Sequence, residues 1–327
     1  MGRHSYRYDR SYALFSCDGR SLLTANCSSD SWGIEVSALP GRERVNSLKI
    51  PPEAQPPVIR LTDDNARVVV AGTSLRVFDL QSGERLCQRA LGFDARWGCA
   101  LSRDGRRVLY AEWAAPDSQL RLLEIEPGGA GIRLAATIGS YKAPYDSFSI
   151  SPDGRYAMAG ASRMSLWDLD TGTVVKRFED VQFQSYATRI SSDNRLAIAL
   201  GTVGGNSTRA GFVTYDLAVV RPRGFRALLR QGPATEPATL IGTALSWDAH
   251  VVGFLPGSHV VLTALPDSSS DGHGWDLFLW DLDANEMSHV THLENGWAAA
   301  DISPDARSVL LIGEGTVEFL PLAELRR

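Results

Sequence analysis

The stretch ISPDGRYAMA (150–159) decides how this chain is read. In Ser151-Pro152-Asp153-Gly154 the proline pre-sets φ at the second turn position, and the glycine relieves the exit of a type I turn. Apolar residues run up to this turn and away from it, so it should join two antiparallel strands. Working outward, the same phrase recurs as FSCDGRSLL from Phe15, LTDDNARVVV from Leu61 and LSRDGRRVLY from Leu101. It continues as ISSDNRLAIA from Ile190, FLPGSHVVL from Phe254 and ISPDARSVLL from Ile302. With Asp18, Asp64, Asp104, Asp153, Asp193, Gly257 and Asp305 taken as equivalent, the successive spacings are 46, 40, 49, 40, 64 and 48. Most lie near the roughly 40–50 residues that four short strands and their turns occupy. Leu255-Pro256-Gly257 places its glycine one position earlier than the other copies, which suits a type II turn.

A third strand follows each pair: LRVFDL (75–80), LRLLEI (120–125), MSLWDL (164–169), GFVTYDL (211–217), DLFLWDL (276–282) and TVEFLPL (316–322). Polar turns such as DLQSGE, DLDTGT and DLDANE lead on to a fourth, for example RLCQRAL or VVKRF. No segment sustains a 3.6-residue apolar period, so helix should be scarce. Where the spacing stretches to 64, an irregular insertion over about 226–246 is expected, as a loop or a short helix. The expected architecture is all-β. It is one domain over 1–327, a single seven-bladed β-propeller with four antiparallel strands per blade. The last copy supplies three strands before AELRR, and HSYRYDR precedes the first copy. Residues 4–9 are therefore expected to pair in the last blade and close the ring without a free sheet edge.

This pattern resembles the WD-repeat family over nearly the whole chain. The namesake dipeptide stands at Trp167-Asp168 and Trp280-Asp281, with Phe78-Asp79 and Tyr215-Asp216 as near matches. The family's Gly-His dipeptide before the inner strand is missing at every expected place. The resemblance therefore implies the propeller without the His/Ser/Trp network that ties many family blades, and packing should carry more of the stability. It also implies that the rim of one face, where the inter-blade connections emerge, contacts partner proteins.

Composition narrows the function. A net charge of -5 offers no electrostatic footprint for nucleic acid or an anionic membrane. No apolar run approaches the roughly 20 residues that span a bilayer. The polar start MGRHSYRYDR lacks a signal-peptide core, so a cytoplasmic location is expected. Cys17, Cys27, Cys87 and Cys99 show no Cys-x-x-Cys spacing and read as small buried apolar residues. Three lysines against thirty arginines suggest a GC-rich, bacterial genome rather than any chemistry.

The residues preceding the inner strands are Tyr12, Arg60, Trp97, Tyr145, Tyr186, His250 and Trp297. Aromatic and hydrogen-bonding side chains of this kind serve as hot spots, because they bring large rigid area at small entropic cost. Packing between blades is the competing explanation for any one of them. On the same face lie GTVGGNSTRA (201–210), LPDSSSDGHGW (265–275) with Asp271 and His273, and AEWAAPDSQ (111–119) with Trp113. Asp267, Asp271 and His273 could offer oxygen and nitrogen to a cation, but no twelve-residue calcium loop surrounds them, and a recognition loop is the better reading. His289 and His292 read as members of a solvated outer strand.

No Gly-x-Ser-x-Gly elbow, His-Glu-x-x-His pair or phosphate-binding glycine loop is present. No catalytic residue, cofactor or metal is assigned. The leading expectation is a non-enzymatic scaffold, monomeric on its own, that binds a partner protein or peptide over its top face within a larger hetero-complex. The alternative is a lactonase- or lyase-like propeller enzyme acting on a small molecule in the channel through His250, Asp146 and Asp248. A deep, charged, cation-holding channel would favour that alternative. A third possibility is a sensor whose loops 201–210 and 265–275 bind a small ligand.

Overall fold

In the computed structural model the described residues are 11–27, 31–51, 58–91, 99–114, 117–141, 147–160, 164–178, 183–203, 210–217, 238–245, 250–266, 274–284, 286–293, 298–313 and 316–323. Some at strand ends are described by backbone alone. They form seven antiparallel sheets in which strands pair in chain order. The first blade is β1 (Ser11–Phe15), β2 (Ser21–Cys27), β3 (Trp32–Ala38) and β4 (Arg44–Ile50); the second is β5 (Val58–Leu61), β6 (Arg67–Ala71), β7 (Ser74–Asp79) and β8 (Arg85–Ala90). The third is β9 (Cys99–Leu101), β10 (Arg107–Ala114), β11 (Asp117–Ile125) and β12 (Ile132–Tyr141); the fourth is β13 (Ser147–Ile150), β14 (Tyr156–Gly160), β15 (Ser165–Asp168) and β16 (Thr173–Arg177). The fifth is β17 (Phe183–Ile190), β18 (Leu196–Val203), β19 (Ala210–Asp216) and β20 (Ala238–Leu245); the sixth is β21 (His250–Phe254), β22 (Val260–Pro266), β23 (Trp275–Asp281) and β24 (Glu286–Leu293). The seventh shows β25 (Ala298–Ile302), β26 (Ser308–Gly313) and β27 (Thr316–Pro321). Among the described residues the only helical element is a 3-10 turn, Pro127–Gly129.

The turn phrase behaves as its residues dictate. In six copies the residue after the Asp position is left-handed: Gly19, Asn65, Gly105, Gly154, Asn194 and Ala306 have φ between 54° and 74°. Each closes a hydrogen bond to the carbonyl three residues back, as in Gly154 N–H to Ser151 O at 2.8 Å. In the sixth copy the bond runs from Ser258 N–H to Leu255 O, and Gly257, one place earlier, takes φ 70°. That is the type II geometry its early glycine demanded.

The second strands are buried on both faces, which is why they read as unbroken apolar runs. Val68 and Val70 of β6 pack toward the first blade with Trp32 and Ile34, while Val69 and Ala71 pack toward the third with Val108 and Tyr110. The same alternation sends Leu109 to a cluster with Ala157 and Trp167, and Met158 to one with Ala197 and Tyr215. Ile198 joins Val261 and Trp280, and Leu262 joins Val309 and Leu322. The last cluster sets Ala13 and Leu22 of the first blade against Leu310 of the seventh, so the seven sheets close into a ring.

One expectation changes. Part of the supposed insertion at 226–246 is strand: 238–245 form β20, the outer strand of the fifth blade, bulged against β19 at two places. Residues 218–237 lie outside the described residues. Three strands of the last blade are described, and residues 4–9, expected to supply its fourth, lie outside the described residues. Cys17, Cys87 and Cys99 carry free thiols and keep part of their surface exposed as residues, while burial pushes the Cys99 thiol up to about 12. No helix of the described residues is long and apolar enough to cross a membrane.

Candidate functional site

The ring presents two faces. On one, the turn face, lie the strand 1–2 and strand 3–4 turns; on the other lie the strand 2–3 and inter-blade connections. The turn face is latched by one repeated polar device. The first turn residue (Ser16, Thr62, Ser102, Ser151, Ser191, Ser303) donates its hydroxyl to the Asp two residues on at 2.5 to 2.7 Å. The same oxygen accepts the N–H five residues on, where the second strand begins. Each Asp Oδ1 accepts the N–H two residues beyond itself, which satisfies the turn backbone.

At Asp18, Asp153 and Asp193 the second carboxylate oxygen reaches a neighbouring blade. Asn65 Nδ2 donates to Asp18 Oδ2 at 3.0 Å, and Asn194 Nδ2 donates to Asp153 Oδ2. The sixth copy lacks both Ser and Asp, and His259 takes over. Its Nε2 lies 2.9 Å from Asp193 Oδ2 in the fifth blade, and its Nδ1 lies 2.9 Å from Asp283. The hydrogen bond that the His259 ring donates to Asp283, opposed by burial and joined by Asp193, raises the pKa of His259 above its ordinary value. Burial pushes Asp193 up, but hydrogen bonds from Ser191, Arg195 N–H and His259 outweigh it and hold the carboxyl at about 2.

The partner-binding residues named from sequence fall unevenly. Tyr12 lies in β1 opposite Ala25, His250 opens β21 opposite Ala264, and Tyr186 occupies the bulge of β17 between Ser185 and Ala187. These three stand toward the strand ends remote from the turns. Trp97, Tyr145, Trp297, Asp271 and His273 lie outside the described residues, as do Asp146, Asp248 and Asp267. The reading of 111–119 as a loop is corrected: Trp113 is a strand residue of β10, opposite Ser118 of β11, in a hairpin that turns between Ala114 and Asp117. Of 201–210, residues 201–203 and 210 belong to β18 and β19, and of 265–275, residues 265, 266 and 275 belong to β22 and β23; 204–209 and 267–273 lie outside the described residues. His289 and His292, on β24, share Asp276 Oδ1 at 3.2 and 3.0 Å.

Arg60 does not belong with the rim residues. It sits two residues before Thr62, opposite Val69, in the turn-side half of the channel. The ladder defines its level: the inner-strand residues opposite Leu23, Val69, Leu109, Met158, Ile198, Leu262 and Leu310 are Leu14, Arg60, Ala100, Ser149, Arg189, Gly253 and Asp301. Every Arg and Asp of the seven inner strands lies at this one level. Asp301 Oδ2 accepts Phe15 N–H at 2.9 Å and its Oδ1 accepts Ile302 N–H at 2.9 Å. Burial raises the Asp301 carboxyl against the opposing pull of Arg60, the two N–H donors and Arg103. Enclosure in the ring, reinforced by Arg60, lowers the Arg189 guanidinium below its ordinary range.

Sequence reading missed Arg189, Asp301 and Arg103. Counting back from each turn, rather than forward from each strand start, would have found the first two. Among the described residues no group of three His, Cys, Asp or Glu side chains is placed to hold a metal.

Fold and channel together define a seven-bladed β-propeller. The chain is similar in structure to a chain of Kuenenia stuttgartiensis hydrazine synthase, with TM-score 0.66, 13% identity, and 98% of this chain and 99% of that one covered. It is also similar to the Myceliophteria thermophila Cps50 (Swd1) β-propeller domain, with TM-score 0.63, 14% identity, and 95% and 96% covered. No protein-family model and no curated protein matches the sequence, so the WD-repeat likeness remains one of motif and fold.

Proposed function

We propose that the chain is a non-enzymatic interaction scaffold, a cytoplasmic propeller that binds a partner protein or peptide over the face remote from the turns, within a larger assembly. The carrying observation is the asymmetry of the two faces. The turn face spends its polar groups on itself, through the Ser/Thr–Asp latches and the contacts between blades. The opposite face carries the inner-strand ends with Tyr12, Tyr186 and His250 and the connections between blades, while the longest connection of the chain, 217–237, leaves β19 on the turn side. A ring packed at seven interfaces fixes the inner-strand backbone before a partner arrives, which lowers the ordering cost that a docking platform must meet. One of the two similar chains comes from an enzyme and the other is a propeller domain, so likeness of fold is neutral between scaffold and enzyme.

The test is affinity capture with the wild-type chain, with Trp97→Ala/Tyr145→Ala/Trp297→Ala, and with a turn-face variant, Arg106→Ala. Loss of the captured partner in the triple variant alone supports the assignment, each true hot spot being worth roughly 1–4 kcal/mol. Identical recovery with all three chains contradicts it.

A further inference from the structure

The turn-side half of the channel collects charge from the second, fifth and seventh blades, no two of which are neighbours, and from a turn of the third. Arg60 comes from the second blade, Arg103 from the third, Arg189 from the fifth and Asp301 from the seventh. Arg60 is close enough to both Arg189 and Asp301 to act on their ionisation, and Arg103 acts on Asp301. The only space that such blades share is the axis of the ring. Near that level the first and third blades also meet directly, through the Cys17 thiol and the Arg103 carbonyl, on the turn side.

The charges are unbalanced. Among the described residues no ion pair engages Arg60, Arg103 or Arg189. Asp301, the one acidic residue of the described inner strands, already has an N–H donor on each oxygen. Arg189 spends one Nη1 bond on the adjacent carbonyl of Thr188. Among the described inner strands two guanidiniums, with Arg103 of the adjoining turn, stand against this carboxylate in an enclosed space, where repulsion between like charges is less screened than at the surface. At the same ladder level Ser149 is only 7% exposed, and among the described residues its Oγ has no hydrogen-bond partner. A buried hydroxyl without a partner costs about 1–3 kcal/mol, so this group too is waiting for one.

We propose that this level of the channel is a binding site for a small dianionic oxyanion, a phosphate group, held by Arg60, Arg103 and Arg189 with Ser149 as a neutral donor. Guanidinium forks match the oxygens of a tetrahedral dianion, and an excess of arginine over carboxylate among the described residues favours an anion. Asp301 is the positioning residue: it neutralises one charge and, through Phe15 N–H, ties the site to the junction of the first and last blades. The site is independent of whatever docks on the opposite face, and either can fail without the other.

Isothermal titration with inorganic phosphate tests it, using the full chain at low ionic strength and neutral pH. The expected result is one site per chain, weakened at least about tenfold by Arg60→Gln or by Arg189→Gln. Arg44→Gln, on an exposed outer strand, should leave it unchanged. Thermal melts supply a second signature that a structural role alone would not give. Removing either channel arginine should raise the melting temperature in phosphate-free buffer, by relieving repulsion, and abolish the rise that phosphate produces in the wild type. Titration with a dicarboxylate separates the sources: weaker binding than phosphate supports the tetrahedral site, whereas tighter binding identifies a carboxylate site and overturns the assignment. No one-to-one binding by about 10 mM phosphate, or binding indifferent to both arginine variants, also overturns it.

Discussion

At the scale of single residues, His259 stands where five of the six other copies carry arginine and one carries alanine, and it links two blades through Asp193 and Asp283. Its pKa is raised in the folded chain, so its contribution is fully present below the unfolded value near 6.5 and is lost as pH rises through the folded value. The partners are 43% and 71% exposed, which limits the contribution to the order of 1 kcal/mol. The stability difference between wild type and His259→Gln, from melts at pH 6 to 9, should shrink as pH rises. A difference that grows with pH would contradict the bridge. Asp193, held at about 2, keeps its own contribution until far more acidic pH. This bridge was invisible in sequence, because a histidine at the foot of a strand reads as an ordinary polar residue until the neighbouring blade is in place.

At the scale of elements, what was legible depended on how tightly each element is constrained. Turns are fixed by backbone conformation, and Gly, Asn and Asp at set positions declared all seven. Second strands are fixed by burial on both sides, and their apolar runs declared them. Outer strands meet neither constraint. β20 pairs with β19 at only three register points and is interrupted by two bulges, so its residues merged with the long spacing into an apparent insertion. Inner strands differ in length, from three residues in β9 to eight in β17, so counting from their starts mixed channel levels and put Arg60 on the rim. The third strand of the last blade has its own consequence. β27 alternates between exposed and half-buried residues, whereas its counterparts β7 and β15 are almost wholly buried. A strand so uncovered is the place for the remaining segment of the chain. Deleting residues 1–10 should therefore lower the melting temperature by several degrees. An unchanged melt would show that β27 stays an edge.

At the scale of the molecule, the seven packed interfaces make closure the property on which both faces depend. Leu310 has no exposed surface and lies in the cluster joining the last blade to the first, where Phe15 and Phe319 rings stand 5.8 Å apart. Leu310→Ala should cost about 2–5 kcal/mol, and calorimetry should still show one cooperative transition, since weakening one joint loosens a ring rather than an end. Two resolved transitions would mean that the blades melt as an open array. The proposed function places partners on the face remote from the turns, and amide hydrogen exchange reads that choice directly. Exchange of the chain alone is compared with that of the chain bound to its captured partner. The account predicts new protection at the inner-strand ends around Tyr12, Tyr186 and His250, with the turns at 16–21, 62–67 and 191–196 unchanged. Protection confined to those turns would contradict it.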